Sequence, residues 1–551
     1  MDTRTYLEEL DDEFTLDDVG STLLEDLAKG LYQAEEVIRE YIQNAIDAHR
    51  MWMHETDSPP EGPIQVELRG TSISIYDYGI GMGETEIRRV KSIALSSKRD
   101  SDASLTGHKG VGVWAGLSSF EVMRLYTTKK GCGKAYELSL KFQEIVKSIK
   151  ENVSLGKVLN PNYNISVYEE SEDEHFTVVT LENPVADKSS WFLNEEHIQD
   201  AVRRICPCPI DPDFVFEDKI TDWYKGHDFQ TFEIEVNGEP VYRSYPNTVV
   251  NFESGNISID DKNVAYFWRA INRKNRVLKV KDHQMAGFRI IQDGFTLGED
   301  NLYGKMRLAG YDDLTKGAVG YLDWYVGEIH VVLSDLRPDL PRRKFEEGEL
   351  ARQFVHRIRR WYTDLDYLTR LVSQIRNLKK KYVDNETALN GYVPNAFNLD
   401  AAALDTIHAI QAELQKQEAD VNKVKGKRNV SYKIAALRDK EIRKLRKELL
   451  KTIKDLTKNV PKTNPDQSPL TTIVDAHKKD GANPNASVQE GNSSDISRTV
   501  KNVKTPSKKT SPTEQPTEDT VESDELPISV PLFSFDDEDE REGQYLLDIL
   551  I

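Results

Sequence analysis

Three short runs of residues between positions 40 and 116 constrain this chain more than any other part of its sequence. Residues 40–48 read EYIQNAIDA, residues 77–82 read DYGIGM, and residues 107–116 read GHKGVGVWAG. Each run predicts a local structure and a type of chemistry. Their order along the chain, with a helix first, a strand with a glycine turn second and a glycine-rich loop third, restricts the fold further.

The first run is predicted to be helical because apolar residues recur at helical spacing, at positions 37, 38, 41, 42, 45 and 46. Glu40, Asn44 and Asp47 are four and three residues apart, so they share another face of the same helix. A carboxylate and an amide one turn apart can hold a hydrated Mg²⁺, which prefers oxygen ligands, and can orient a water. A solvated polar face is the alternative for this run alone.

The second run follows a predicted strand. Residues 72–76 alternate between polar and apolar side chains, and Asp77 ends the strand. Gly79 and Gly81 then permit a tight loop that can approach a ligand closely before the chain reaches Met82. An aspartate at the base of such a loop can accept a hydrogen bond from an exocyclic amine such as that of adenine. A plain β-turn with an Asx hydrogen bond is the alternative.

The third run is a glycine-rich loop. Gly107, Gly110 and Gly112 would allow backbone N–H groups to cradle phosphates, and a following helix N-terminus would add a favourable dipole. The glycine spacing matches neither the Walker A pattern nor the Rossmann fingerprint. A flexible hinge explains the glycines of this loop equally well.

Taken together and in this order, the three runs resemble the GHKL ATPases. This superfamily comprises the gyrase B-type ATPase domains, the ninety-kilodalton heat-shock chaperones, the histidine kinases and MutL. The stretch from Leu27 to Tyr32 is similar to the chaperone-like branch, and the chain resembles that branch or the MutL/MORC-like branch most closely. Residues 175–181 fit as a fourth element, a strand with a threonine near an adenine-bound water, although Phe176 stands where the family usually has glycine.

The resemblance implies an ATPase that binds ATP and Mg²⁺. Glu40 would be the general base for the attacking water, Asn44 would carry Mg²⁺ and Asp77 would read adenine. Lys98 would be the lid cation that approaches phosphate, with Lys109 as a competing candidate. The other residues expected to line the nucleotide pocket are Asp47, Gly79, Gly81, Met82, Gly107, Gly110, Val111, Gly112 and Thr177.

The resemblance also implies an α+β fold, in which a Bergerat-type ATPase α/β sandwich is followed by a βαβ transducer domain, a helical coiled-coil region and a disordered tail. The predicted segments are 1–211 for the ATPase domain, 212–380 for the transducer-like domain, 381–460 for a linker and basic helical or coiled-coil segment, 461–525 for a disordered linker and 526–551 for an acidic-hydrophobic docking tail. Asn237-Gly238 predicts a hairpin in the second domain. The polar stretch 376–400 is expected to be a linker.

One loop of the second domain is expected to reach the nucleotide. Residues 335–345 follow a predicted buried strand, and in related proteins a cation from this position contacts the γ-phosphate. A guanidinium suits that contact because it forks onto phosphate oxygens. The candidates, in order of preference, are Arg342, Arg343 and Lys344. A basic surface loop is the alternative.

The composition limits the partners of the chain. The formal net charge of −20 argues against a protein that coats nucleic acid over its whole surface, but the basic stretch 423–462 leaves room for a local DNA contact or a solvated helix face. Three cysteines are too few for a disulfide framework, and the pair at 206 and 208 is expected to be reduced and buried. No apolar run approaches the roughly 20 residues needed to span a bilayer, so a soluble cytoplasmic protein without membrane contact is expected.

These features predict an ATP-dependent molecular clamp. The resemblance implies a homodimer that closes on ATP, in which Tyr6 and Leu7 of the N-terminal segment could cross to the second subunit; an N-terminal helix packed on its own domain is the alternative. The tail 526–551 predicts docking to a protein partner. The clamp could act in DNA transactions or bacterial defence against phage, by fold-level analogy. The rival hypothesis is a non-catalytic, ATP-ordered scaffold that docks a partner through this tail.

Overall fold

The computed structural model describes residues 4–10, 21–90, 112–150, 159–272, 286–300, 306–307, 324–427 and 430–458. The helices are α1 (Ser21–Ala28), α2 (Ala34–Thr56), α3 (Glu84–Arg89), α4 (Phe142–Lys150), α5 (Ser189–Phe192), α6 (Glu195–Ile205), α7 (Glu217–Gly226), α8 (Glu349–Tyr392), α9 (Ala401–Lys423), α10 (Tyr432–Arg438) and α11 (Lys440–Thr457). The predictions of a disordered linker and a docking tail fall on residues 461–551, outside the described residues.

The described strands form three sheets. In chain order they are β1 (Tyr6–Glu9), β2 (Ile64–Arg69), β3 (Ser72–Asp77), β4 (Phe120–Thr128), β5 (Lys134–Leu140), β6 (Tyr163–Glu169), β7 (Phe176–Pro184), β8 (Ile234–Val236), β9 (Glu239–Pro240), β10 (Val249–Ile259), β11 (Lys262–Asn272), β12 (Gly287–Gln292), β13 (Phe295–Leu297), β14 (Glu299–Asp300), β15 (Met306–Arg307) and β16 (Tyr325–Val331). The fold is therefore mixed α+β, as the sequence predicts.

The first sheet has nine strands in the order β1-β6-β5-β4-β7-β3-β2-β8-β9. Its neighbours pair antiparallel except β2 and β8, which pair parallel. Alternate residues of β3, such as Ile73 and Ile75, are buried, and they share one hydrophobic core with Ile42 and Ile46 of α2. A sheet that is apolar on one face must bury it against another layer, so α2 is held against the sheet by the apolar stripe that the sequence predicts.

The N-terminal segment packs on its own domain. Strand β1 pairs antiparallel with β6 at the edge of the first sheet. Just before β1, the Arg4 guanidinium lies over the rings of Tyr126 and Tyr168, and its Nη1 lies 2.7 Å from Glu137 Oε2. The segment that begins at Tyr6 is a strand and not the helix considered from the sequence.

The hairpin at Asn237-Gly238 forms as predicted, but in the first sheet instead of the second. Both turn residues have positive φ angles, 52° and 82°, which this type of two-residue turn requires. Its first strand, β8, pairs parallel with β2, and Ile234 and Val236 are buried in the core of the first sheet. The placement is set by pairing with a distant strand, which local sequence does not reveal.

The second sheet has five strands in the order β10-β11-β16-β12-β13. Strands β12 and β16 pair parallel, and the other neighbours pair antiparallel. A parallel pair needs a crossover connection; most of this one, residues 301–305 and 308–323, lies outside the described residues. The start of α8 shares a core with this sheet through side chains that include Phe354, Ile358, Trp361 and Leu365.

Helix α8 runs without interruption from Glu349 to Tyr392, so the prediction of a linker over 376–400 is wrong for most of that stretch. The segment is polar, but Leu378, Tyr382 and Leu389 are buried at helical spacing. Lysine, glutamate and leucine are good helix formers, and residues 349–393 contain no proline. The sequence predicts a linker here because the segment is polar as a whole and its apolar stripe is narrow.

The described residues fall into two compact units. Of these residues, the first unit contains those up to Lys379 together with Val421–Ile442, and the second contains Lys380–Asp420 and residues 443–458. In the second unit the end of α8 contacts α9: Lys381 Nζ lies 2.5 Å from Glu413 Oε1, and the Tyr382 hydroxyl donates to Gln417. These contacts pack the end of α8 on α9, and the coiled-coil segment expected within 381–460 stays a prediction. None of the described helices is both long enough and apolar enough to cross a bilayer.

Candidate functional site

Helix α2 carries the polar side chains of the first run at fixed positions. Glu40 and Asp47 are buried and Asn44 is half-buried. The apolar stripe on the other side of α2, which includes Val37 and Ile42, lies in the core of the first sheet. Because that stripe sets the rotation of the helix, it also sets the direction of the polar face.

Glu40 forms an ion pair with its neighbour in sequence. Arg39 Nη2 donates to Glu40 Oε1 over 2.9 Å, and only 1% of the Arg39 side chain and 10% of the Glu40 side chain are exposed. The pair restricts the orientation of the carboxylate, and a general base must be oriented to act on a water. Sequence reasoning missed Arg39; its signal is a cation that stands between the apolar positions 38 and 41.

Arg342, from the loop after β16, is also buried in this region. Its Nη2 donates to the Gln292 carbonyl over 2.9 Å and lies 3.8 Å from Asp293 Oδ2. Burial lowers the pKa of Arg342; Arg39 lowers it too, whereas Asp293, Glu40 and Asp47 raise it. Arg342 therefore lies within electrostatic reach of the Arg39–Glu40 pair.

The other two cations of this loop lie elsewhere. Arg343 forks onto Glu36 at the start of α2, with its Nε 2.7 Å from Oε1 and its Nη2 2.8 Å from Oε2. Lys344 is partly exposed, and its Nζ is 4.0 Å from Glu347 Oε1. Of the three candidates, Arg343 ties the loop to α2, Lys344 lies at the surface, and Arg342 is buried with Glu40 among the charges that act on it.

Asp77 ends β3 and is buried. Its Oδ1 accepts a hydrogen bond from the Gly79 N–H over 2.8 Å, which holds the start of the glycine turn. This is the Asx hydrogen bond that the sequence offered as an alternative reading. A carboxylate has about four acceptor sites, so this hydrogen bond leaves acceptor capacity on Asp77.

Thr177 lies directly opposite Asp77 in the pairing of β3 with β7. Its hydroxyl is 3.0 Å from Thr127 Oγ1, which donates its proton to the Phe176 carbonyl and accepts from the Met82 N–H. Because a hydroxyl has one proton, Thr177 must be the donor in the threonine pair. Sequence reasoning missed Thr127, which joins the second run to the Thr177 strand.

Three described glycines of the predicted pocket, Gly79, Gly81 and Gly112, have no room for a side chain. Gly81 has φ +65°, and a Cβ there would lie 1.7 Å from the Thr128 carbonyl oxygen. A Cβ on Gly112 would lie 2.8 Å from Asn44 Nδ2. The end of the glycine-rich loop therefore approaches the amide that the sequence assigns to Mg²⁺.

Two histidines, also missed from the sequence, hold the turn after Asp77. His49 Nε2 accepts from the Tyr78 N–H over 3.2 Å, and His175 Nδ1 is 2.8 Å from the Gly79 carbonyl oxygen. The His175 ring stacks on Trp52 of α2, with a centroid distance of 3.8 Å. Burial first, and then the charge of His175, lower the pKa of His49 to about 4.

Five candidate residues cannot be placed. Lys98, Gly107, Lys109, Gly110 and Val111 lie in residues 91–111, outside the described residues. The roles given to the two lysines and to the glycine cradle therefore stay predictions.

Residues 32–161 match the family model described as "Histidine kinase-, DNA gyrase B-, and HSP90-like ATPase". The chain carries an ATPase domain of the GHKL superfamily. The matched segment of this GHKL domain includes Glu40, Asn44 and Asp77, whereas Thr177 and the Arg342 loop lie beyond it. The match does not distinguish between branches of the superfamily. A search of curated proteins finds no match to the chain.

The donor set fits the ATP and Mg²⁺ that GHKL ATPases bind. Asp77 offers a buried carboxylate for an amine, and Arg342 offers a buried guanidinium whose Nε has no hydrogen-bond partner among the described residues. Those residues contain no cluster of three or more His, Cys, Asp or Glu side chains that could hold a metal ion by themselves. Mg²⁺ would thus be held by one protein oxygen at Asn44 with phosphate oxygens and waters, as Mg²⁺ commonly is.

Proposed function

We propose that this protein is an ATP-hydrolysing molecular clamp. The observation that carries the proposal is that the loop after β16, which carries Arg342, is held by the Arg343–Glu36 ion pair against α2, which carries Glu40. A carboxylate on the helix that covers the first sheet and a cation on a loop from the second sheet are brought into one buried region. An ATPase that couples its nucleotide state to a second domain needs a residue of that domain in contact with the nucleotide site.

In this proposal each side chain has one task. Asp77 and Thr177 bind the adenine end, and Asn44 holds Mg²⁺, which neutralises phosphate charge when bound. Glu40 takes the proton of the attacking water, and Arg342 contacts the γ-phosphate. Arg39 is a positioning residue, since it acts on the reaction only through the orientation of Glu40. Loss of the γ-phosphate would remove the anionic partner of Arg342 and leave the loop after β16 held to α2 by the Arg343–Glu36 pair.

The clamp would close as a homodimer when ATP binds and would transmit the nucleotide state to a DNA or protein partner. The basic segment 423–462 supports DNA, and the tail 526–551 supports a protein. A cytoplasmic protein engaged in a DNA transaction or in defence against phage agrees with these features.

Replacing Glu40 with alanine tests the catalytic assignment. A positioned base typically contributes about 10²–10⁴-fold to a rate, so we expect ATP turnover to fall by that factor while ATP binding is retained. Glu35→Ala, on the same helix, is the matched control and should turn over normally. Turnover by Glu40→Ala equal to that of the control would rule out Glu40 as the base.

Replacing Asp77 with asparagine tests the adenine assignment separately. The change keeps the shape of the side chain but removes its charge and places an N–H₂ group where one acceptor stood, so we expect weaker ATP binding by calorimetry. An unchanged affinity for ATP, with intact discrimination against GTP, would move adenine recognition to another residue.

The alternative is a scaffold that binds ATP without hydrolysing it. The observation that favours it is the ion pair itself, since one oxygen of Glu40 is already engaged by Arg39. Steady ATP turnover that disappears in Glu40→Ala would exclude the scaffold. Tight ATP binding with no turnover in either protein would support it.

A further inference from the structure

Helix α11 presents a regular row of lysines to solvent. They follow one another at intervals of four, three, four, three and four residues, and all of them are exposed. At 3.6 residues and 1.5 Å per residue, these intervals keep them on one side of the helix over about 27 Å. We refer to this row as the lysine stripe; it consists of Lys440, Lys444, Lys447, Lys451 and Lys454 of α11 and of Lys458, which directly follows the helix.

The opposite side of α11 is apolar and already covered. Ile442, Leu449, Ile453 and Leu456 are each no more than 3% exposed. A basic amphipathic helix that lies on a membrane must have its apolar face free to enter the lipid. The apolar face of α11 is covered by the protein and cannot enter a lipid bilayer. The lysine stripe can therefore bind a partner only through its positive charge.

The ammonium groups of the lysine stripe share α11 with three carboxylates, those of Glu441, Glu448 and Asp455. None of them pairs with a carboxylate of the described residues, although lysines on neighbouring elements do, as Lys381 does with Glu413. Like charges three or four residues apart on a helix repel one another and weaken it. The lysines of the stripe outnumber these three carboxylates, so an extended anion along the stripe would relieve the remaining repulsion.

The chemistry of the stripe favours a nucleic-acid backbone. Lysine is a hydrated point charge that suits phosphate contacts, and it lacks the planar fork with which arginine reads bases. Helix α11 contains no aromatic residue on which an unpaired base could stack. With a net charge of −20, the chain would repel such an anion elsewhere and favour it at this stripe.

We propose that the lysine stripe of α11 binds the sugar–phosphate backbone of a duplex nucleic acid without regard to its sequence. The use of that duplex as the partner of the clamp rests on the proposed function. The binding itself does not, and it can be measured without nucleotide.

The test measures binding of the full-length chain to a labelled DNA duplex of about 30 base pairs as the salt concentration is raised from about 50 to 200 mM. Each phosphate contact contributes about 0.9 to the slope of log K against log salt. We expect the triple variant Lys447→Gln, Lys451→Gln, Lys454→Gln to lower that slope by about 3 and to weaken binding at least tenfold at the lowest salt.

The matched control removes the same charge at exposed lysines outside the stripe, Lys225→Gln, Lys262→Gln, Lys416→Gln. It should bind as the wild-type chain does. An RNA duplex of equal length shows which backbone is preferred, and binding of either supports the proposal. No duplex binding at low salt, equal losses in the two triple variants, or binding only to anionic lipid vesicles would overturn it. ATP turnover is recorded separately, so failure of the ATPase proposal would leave this readout intact.

Discussion

His49 is a buried histidine that must be neutral to make its hydrogen bond in the candidate site. Its Nε2 accepts the Tyr78 N–H, which a protonated ring could not do. Burial and the nearby His175 lower its pKa from 6.5 to about 4. Protonation of His49 would thus release the turn that follows Asp77, which links the pH response of the fold to the candidate adenine site.

We expect the free energy of unfolding to fall as the pH drops from about 6.5 to about 4. In that interval the unfolded chain binds a proton at His49 and the folded chain does not, so stability is full above 6.5 and is lost toward 4. A shift of this size corresponds to about 3 kcal/mol at most. Urea titrations near pH 7.5 and pH 5 measure it. The His49→Gln variant should lose less stability than the wild type; an equal loss would exclude His49 as the source.

Gly112→Ala tests the approach of the glycine-rich loop to Asn44. A Cβ at Gly112 would come within 2.8 Å of Asn44 Nδ2 and 3.2 Å of its Oδ1, so the amide must shift. We expect the variant to need more Mg²⁺ for half-maximal ATP turnover. In the control variant Gly348→Ala, the new methyl group meets nothing within 4 Å, and its Mg²⁺ dependence should be normal. The same Mg²⁺ curve in both variants would argue against Asn44 as the ligand.

At the scale of elements, the loop after β16 is fastened to α2 by the Arg343–Glu36 fork. A bidentate guanidinium–carboxylate pair with little exposure is among the stronger polar contacts. We expect a double-mutant cycle on Arg343→Ala and Glu36→Ala to give a coupling energy of about 1–3 kcal/mol in urea unfolding. The same cycle on Lys344 and Glu347, whose side chains are 43% and 95% exposed, should give almost none. Equal coupling in the two cycles would contradict a fastening role.

The sequence predicts those elements whose signal is local. Helix α2 and strand β3 form where the periodicity of the sequence indicates. The sequence does not predict the long hairpin of β10 and β11. Buried and exposed residues alternate only in part along these two strands, so their sequences carry a weak strand signal. Two features join segments that are more than 150 residues apart in the sequence. They are the pairing of β8 with β2 in the first sheet and the ion pair between Glu36 and Arg343. Such pairings are decided by tertiary packing and not by local propensity.

The same division holds in the candidate site. Glu40, Asn44 and Asp77 could be predicted because each stands in a short run with a chemical reason for its spacing. Arg39, Thr127, His49 and His175 could not, because each acts by contacting a residue far away in sequence or by its burial. The residues missed are those that hold the predicted ones in position.

At the scale of the molecule, one buried cluster connects the end of α6, which packs in the core of the first sheet, with the second sheet. Glu328 of β16 accepts from Arg243 Nη1 at 2.8 Å, Trp268 Nε1 at 2.9 Å and two tyrosine hydroxyls. Arg243 Nη2 also donates to the Cys206 carbonyl, just after α6, over 2.6 Å. Burial alone would raise the pKa of Glu328, but Arg243 and the hydrogen bonds hold that pKa well below its ordinary range.

Glu328→Gln should therefore destabilise the whole first unit. It leaves the Arg243 guanidinium buried without a carboxylate, and breaking one partner of a buried pair typically costs about 3–5 kcal/mol. Glu253→Gln is the matched control, because Glu253 pairs with Arg269 in the same sheet but is 36% exposed, and we expect a loss of no more than about 1 kcal/mol. Chemical unfolding followed by tryptophan fluorescence measures both losses. Because Arg243 reaches both the end of α6 and the second sheet, we also expect the Glu328→Gln transition to broaden or split as the two sheets unfold separately. A single sharp transition with a loss no larger than the control's would show that the cluster does not join them.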